Sequence, residues 1–207
     1  MALLLKIVLQ ESSNPAIQEI QKAYSNCINE STTITDVLCW SAADNHLNIV
    51  LFALKNGADI HDNDDFPVRK AAYRGHKNIV ECLINAGANI HADDDIIMKN
   101  VAFNAKPEMI DFLIKVGVKV DTHDNQAIVN ACQAGCVKSI RLLVDAGANV
   151  HVRNEWPLCL AAKLGHLDVV KCLVEIGAQS PKAESLARKY CQTEIVEYLS
   201  SASKLAY

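Results

Sequence analysis

The sequence has no basic run, and its 20 Lys and Arg against 24 Asp and Glu give a formal net charge of -4. It therefore lacks the electrostatic footprint of a nucleic-acid binder. No apolar stretch approaches the roughly 18 residues that a membrane span requires. The opening MALLLKIVLQ is interrupted by Lys6, is followed by Glu11 and has no small-residue cleavage site, so it reads as a helix rather than a signal peptide. Paired C-x-x-C and H-x-x-x-H spacings are missing, which removes the usual zinc signatures. The Asp-rich DNDDFP and DDDIIM lack the central Gly and distal Glu of a calcium loop. No nucleophile elbow, phosphate loop or H-E-x-x-H occurs, so catalysis, a metal and a cofactor are not expected.

Glycine is scarce too, eight in 207 residues. Five of them, Gly57, Gly87, Gly117, Gly147 and Gly177, lie thirty residues apart. Each closes a copy of one pattern: NHLNIVLFALKNGA from Asn45, GHKNIVECLINAGA from Gly75, AKPEMIDFLIKVGV from Ala105, GCVKSIRLLVDAGA from Gly135 and GHLDVVKCLVEIGA from Gly165. A fixed period of this length signals a stacked repeat rather than one globular core. Within a unit, Val169, Val170, Leu173 and Val174 fall at helical spacing and predict a buried stripe. Gly177 then ends the helix, because glycine reaches the left-handed cap without a Cβ clash. The small pairs Ala71–Ala72 and Ala161–Ala162 would let neighbouring first helices approach closely.

The expected architecture is all-α: stacked helix-turn-helix units with short connecting loops. Residues 1–36 are expected to hold helices over 2–10 and 16–28, a cap or degenerate repeat, with NESTTITD as a polar connection. Residues 37–182 carry the regular repeats, and 183–207 a C-terminal capping repeat and tail, all in one continuous solenoid domain. Arg188, Lys189, Glu194 and Glu197 are candidates for the polar outer face of that cap. The eight cysteines need not act as staples in a chain of this length, and Cys82 and Cys172 occupy a repeat position filled elsewhere by Phe52, Phe112 and Leu142. Reduced thiols at buried positions are expected, which favours the cytoplasm, with the nucleus as the other setting.

GADIH at Gly57, GANIH at Gly87, GANVH at Gly147 and the GH-x-x-VV or IV helices resemble ankyrin repeats over about Val37 to Leu199. The usual period is about 33 residues; the missing residues fall in the hairpin finger, reduced here to Phe66-Pro67-Val68 or Trp156-Pro157-Leu158. Units shortened in this way, with Asp-rich tips, are similar to those of ankyrin proteins carried by giant DNA viruses of amoebae. The resemblance implies a non-enzymatic protein–protein interaction module, a monomer binding a host or viral protein in the host cytoplasm. The alternative is a structural scaffold that self-associates, for instance through Leu3, Leu4 and Ile7.

In the ankyrin family, partners bind to loop tips and to the face of the first helices. Carried over by position, the tip candidates are Asn63, Asp65, Phe66, Asp93, Asp95, Ile96, His123, Asn125, Gln126, Arg153, Glu155 and Trp156. The helix candidates are Tyr73, Arg74, Phe103, Asn104, Gln133 and Lys163, with Ala134 and Leu164 beside them. Asp59, Asp62, Asp64, Asp65 and Asp93 to Asp95 crowd the first two loops. As an acidic ridge they would favour a basic partner; as turn formers, Asp and Asn simply suit tight turns and helix entries. His61, His91 and His151 share one repeat position and are expected to hydrogen-bond between neighbouring loops.

Overall fold

Asn14 and Pro15 open the first described helix, α1 (Pro15–Tyr24): the Asn14 side chain accepts the Ala16 N–H at 2.9 Å and Pro15 takes the first turn. The computed structural model describes residues 13–205, the side chains of 13–202. The helix expected over 2–10, with Leu3, Leu4 and Ile7, lies outside the described residues. Among the described residues all regular structure is helical.

The chain divides into two compact units, Met1–Asp93 and Asp94–Tyr207. The first holds α1, α2 (Ile34–Asp44), α3 (Leu47–Lys55), α4 (Asp62–Arg74) and α5 (Lys77–Asn85). After α6 (Ala92–Phe103), which spans the division, the second holds α7 (Pro107–Lys115), α8 (Thr122–Gln133), α9 (Val137–Asp145), α10 (Val152–Leu164), α11 (Leu167–Glu175), α12 (Pro181–Lys189) and α13 (Thr193–Leu205). In each unit first helices pack on first helices and second on second: α2 on α4 and α3 on α5 in one, α8 on α10 on α12 and α9 on α11 on α13 in the other. The stacked helix-turn-helix architecture expected from the period is thus the one observed.

Apolar burial supplies most of the stability. Val169, Val170 and Leu173 of α11 are fully buried, as are Ile79, Val80 and Leu83 of α5, and each such side chain contributes about 1.5–3 kcal/mol. Ala71, Ala72, Ala161 and Ala162 are also fully buried, as close helix approach requires. Cys172 is buried but Cys82 only half so. All eight cysteines are free thiols. Burial pushes the Cys82, Cys132 and Cys172 thiols up, and burial with the Asp62 and Asp36 charges takes Cys39 up to about 12. Thiols held protonated in this way are poor nucleophiles.

Two boundaries differ from expectation. α1 stops at Tyr24 rather than 28, where Cys27 and Ile28 both donate back to the Tyr24 carbonyl in a turn. The polar NESTTITD is not only a connection. Thr33 accepts the Asp36 N–H at 3.2 Å while Asp36 accepts the Thr33 N–H at 2.7 Å, a capping box that starts α2 at Ile34. α1 buries Ile17 and Ile20 and packs on α3, with the Tyr24 ring 5.5 Å from Trp40. At the other end, Arg188, Lys189, Glu194 and Glu197 are exposed.

Each first helix ends in a left-handed residue at the same repeat position: Asn45, Gly75, Ala105, Gly135, Gly165 and Cys191. The next residue explains the GH pair. His166 Nε2 lies 3.1 Å from the Gln133 carbonyl, and His76 Nε2 lies 2.9 Å from that of Ala43, so each imidazole satisfies a terminal carbonyl of the preceding first helix. At Gly135 the His166 ring comes so close that a Cβ would meet it at 3.1 Å.

Ala105 sits in this cap at φ 49°. A left-handed L-residue costs about 1–2 kcal/mol, and the extra unfolded-state freedom of glycine offsets about 0.4–1 kcal/mol of the relief. Ala105→Gly is therefore expected to stabilise the chain by up to about 1 kcal/mol, read as a higher denaturation midpoint at unchanged slope. A lower midpoint would show that the Ala105 methyl packs more favourably than its backbone is strained.

Candidate functional site

The shortened finger is a left-handed turn. Asn63, Asp64 and Asp65 have φ of 49°, 54° and 58°. The same reversal recurs at Asp93–Asp95, His123–Asn125 and Arg153–Glu155. Three successive left-handed residues cannot belong to the right-handed helix that follows, so the regular helix of α4 begins only at Phe66. Pro67 and Pro157 consequently stand in first turns, where a missing N–H is harmless. Asn, Asp and His tolerate positive φ best, and they fill most of these positions. The abundance of Asp in the early loops is a requirement of the turn.

The third residue of the turn points inward, contrary to the expectation of an exposed tip. Asp65 and Asp95 are 5% and 4% exposed. Asp65 Oδ1 accepts the Asn89 N–H at 2.7 Å, and Asp95 Oδ2 accepts the Lys119 N–H at 3.2 Å. Asn125 Oδ1 accepts the Asn149 N–H at 2.8 Å, and Thr35 Oγ1 accepts the Asp59 N–H at 2.9 Å. Each bond reaches the backbone 24 residues on. Two of the three histidines bond within their own turns, not between loops: His61 Nδ1 lies 3.0 Å from Asp65 Oδ1 and His151 Nδ1 lies 2.7 Å from Glu155 Oε1. Glu155, one methylene longer, leaves Oε2 buried without a hydrogen bond.

With two of its acids buried, the proposed ridge is thinner than the sequence suggested. Asn63, Asp93 and Arg153 are exposed at the tips, and His123, Asn125, Glu155 and Gln126 are half-buried. Arg153 Nε binds Asp124 Oδ2 at 2.7 Å across successive turns, and Gln126 Nε2 donates to Asn130, whose own amide donates to the Lys99 carbonyl. In the first unit, Arg69 closes the turn by donating to the Asn63 and Asp64 carbonyls at 2.7 and 2.8 Å. Sequence reasoning passed over Arg69, and only the left-handed turn brings those two carbonyls together.

The first-helix face has a different chemistry from the tips. Lys70 lies 6.0 Å over the half-buried Phe66 and 5.6 Å over the half-buried Tyr73, with Arg74 exposed beside them. In the second unit, Ile96, Asn104, Ala134, Trp156 and Lys163 are half-buried, while Gln133 is exposed. Phe103, Leu164 and Tyr190 are 48%, 41% and 42% exposed. Lys163 Nζ and Lys189 Nζ stand 5.2 and 5.8 Å over the Tyr190 ring, and Lys182 Nζ stands 5.7 Å over Trp156. Tyr190 and Lys182 were not among the sequence candidates, and Lys189 was expected only on the polar outer face of the cap. Their signal was Cys191-Gln192-Thr193, which aligns with Gly165-His166-Leu167 and puts Tyr190 opposite Leu164. Among the described residues, no group of three His, Cys, Asp or Glu is placed to hold a metal ion, and no helix is long and apolar enough to cross a membrane.

The inward carboxylate generates a test of the turn. Asp65→Ala strands the Asn89 N–H and is expected to destabilise the chain by about 1–3 kcal/mol. Asp65→Asn should retain most of the stability, because Asn125 already makes the same bond. Denaturant titration of the two variants decides it: equal losses in both would mean that the charge, not the accepted hydrogen bond, is what position 65 provides.

No curated protein matches the chain. The family model described as ankyrin repeats (3 copies) matches residues 71–154 and 97–184, and that described as ankyrin repeats (many copies) matches residues 38–84. Ankyrin repeats are generally protein–protein interaction modules, and the family is typically non-enzymatic. With helix pairs stacked at a regular period and family matches running from residue 38 to 184, the chain belongs to the ankyrin-repeat family.

Proposed function

We propose that this chain is a protein-binding module whose partner docks on the first-helix face of the unit formed by Asp94–Tyr207. The observation that carries the reading is the exposure of Phe103, Leu164 and Tyr190 at the ends of three first helices. Each could have been polar without harm to the fold, since none contributes to the buried stripe. Large apolar side chains left open at the surface mark interaction sites, and aromatic residues dominate interface hot spots. The shortened units with Asp-rich tips lead us to propose a giant DNA virus as the source, and the unpaired cysteines a cytoplasmic setting in the host, with the nucleus as the other. The turns take up Asp65 and Asp95, whereas the helix face carries large apolar side chains at the surface.

Selection of a displayed library of random 12-residue peptides on the immobilised protein tests this. Peptides enriched on the wild type are expected to lose at least about tenfold in affinity for a Phe103→Ser/Leu164→Ser/Tyr190→Ser variant, since anchor residues at interface centres typically carry that much or more. Circular dichroism of the variant should match the wild type. Enriched peptides that bind both proteins equally would move the site off this face.

A further inference from the structure

The first-helix face of the second unit is chemically one-sided. Residues at i, i+3, i+4, i+7 and i+8 of a helix share a face, and in the four first helices these positions start at Ile96, Gln126, Trp156 and Lys182. Not one Asp or Glu occupies them. Four lysines do: Lys99, Lys163, Lys182 and Lys189. Across residues 94–207 as a whole, acids and bases are equal in number, so this face is positive by segregation and not by composition.

These lysines also differ in what they bind from four other cations of the unit. Lys115 pairs with Asp111 at 2.6 Å, Lys138 with Glu108 at 2.7 Å, Arg141 with Glu175 at 3.0 Å and Arg188 with Glu184 at 2.6 Å. Lys163, Lys182 and Lys189 instead lie over the Tyr190 and Trp156 rings, and none of the four face lysines has a carboxylate partner among the described residues. A ring attracts a cation but neutralises no formal charge, so the net charge of the lysine remains. Unpaired charges alternating with exposed apolar groups call for a complementary surface of acids alternating with apolar residues.

We infer that the occupant is an acidic peptide segment with apolar side chains, lying across α6, α8, α10 and α12. This rests on the reading above that the face binds protein, and it names the partner chemistry. The Asp-rich loops had suggested a basic partner. Two of those acids, Asp65 and Asp95, are taken into the turns, and the charge carried at the helix-face positions is positive. Successive helix axes lie about 8–10 Å apart, so the four first helices extend over about 30 Å, which an extended chain covers in about ten residues at roughly 3.3 Å each. Leu164 and Phe103 would receive the apolar side chains, and the lysines the carboxylates between them.

The peptides enriched in the display selection supply the test through their composition and their response to charge removal. The expected pool is rich in Asp and Glu interleaved with Leu, Ile or aromatic residues. Its members are expected to bind a Lys99→Gln/Lys163→Gln/Lys182→Gln/Lys189→Gln variant at least about tenfold more weakly, the combined effect of four exposed charges each of modest strength. Binding should also weaken as salt rises. A pool that is neutral or basic, or that binds the glutamine variant unchanged, overturns this inference and leaves the protein-binding reading standing. Single-stranded oligo(dT) that binds tighter than every enriched peptide overturns it in favour of a nucleic acid. Failure to enrich any peptide removes both.

Discussion

The fold depends on a hydrogen bond made by a side chain that the sequence would place at the surface. In three of the four left-handed turns the third residue, Asp65, Asp95 or Asn125, accepts a backbone N–H twenty-four residues on, in the next repeat. Its strength, about 1–3 kcal/mol if the donor were stranded, is small beside the burial of several aliphatic side chains per helix. Burial, however, is indifferent to small slips between apolar surfaces, whereas a carboxylate oxygen 2.7 Å from one amide admits a single register. Apolar stripes hold the repeats together, and the accepted amide decides where each sits on the next. Thr35, Asp65, Asp95 and Asn125 share only an oxygen at the right reach, which is why the position tolerates three types of side chain. Glu155 overreaches and leaves an oxygen unsatisfied.

That bond also governs the electrostatics of the surface. Left-handed backbone favours Asn and Asp, and the inward acceptor favours Asp again, so the loops accumulate acids for reasons of backbone geometry. Arg69 then closes one of these turns through its carbonyls. The adjacent helix faces are free of that demand, and there the side chains are aromatic, aliphatic and basic. In the second unit the separation is complete at the face positions, with lysines stacked on Tyr190 and Trp156 in place of ion pairs. The chemistry of the site is what remains once the turn has taken the residues it needs.

Much of this was legible without coordinates. Five glycines at a fixed spacing gave the helix ends, the Val and Leu stripes gave the buried faces, and the GH pair marked each second helix, although its purpose, an imidazole reaching a carbonyl 33 residues back, was not readable. The capping box at Thr33 and Asp36 was readable and hidden only by its polar neighbours. Tyr190 was obscured because the terminal repeat shortens its approach, so counting by thirty misses it.

The sequence by itself determined the repeat, the helix pairs and the residues eligible for the first-helix face, because periodicity and cap chemistry are local properties that each copy states again. Tertiary structure alone decided which way an Asp points. DNDD and DDDI look alike as acidic tips or as turns, and the choice depends on a backbone amide 24 residues away that only stacking brings within 3.2 Å. The same is true of the face lysines, whose lack of carboxylate partners among the described residues is a matter of which helices stand beside them and not of their place in the chain.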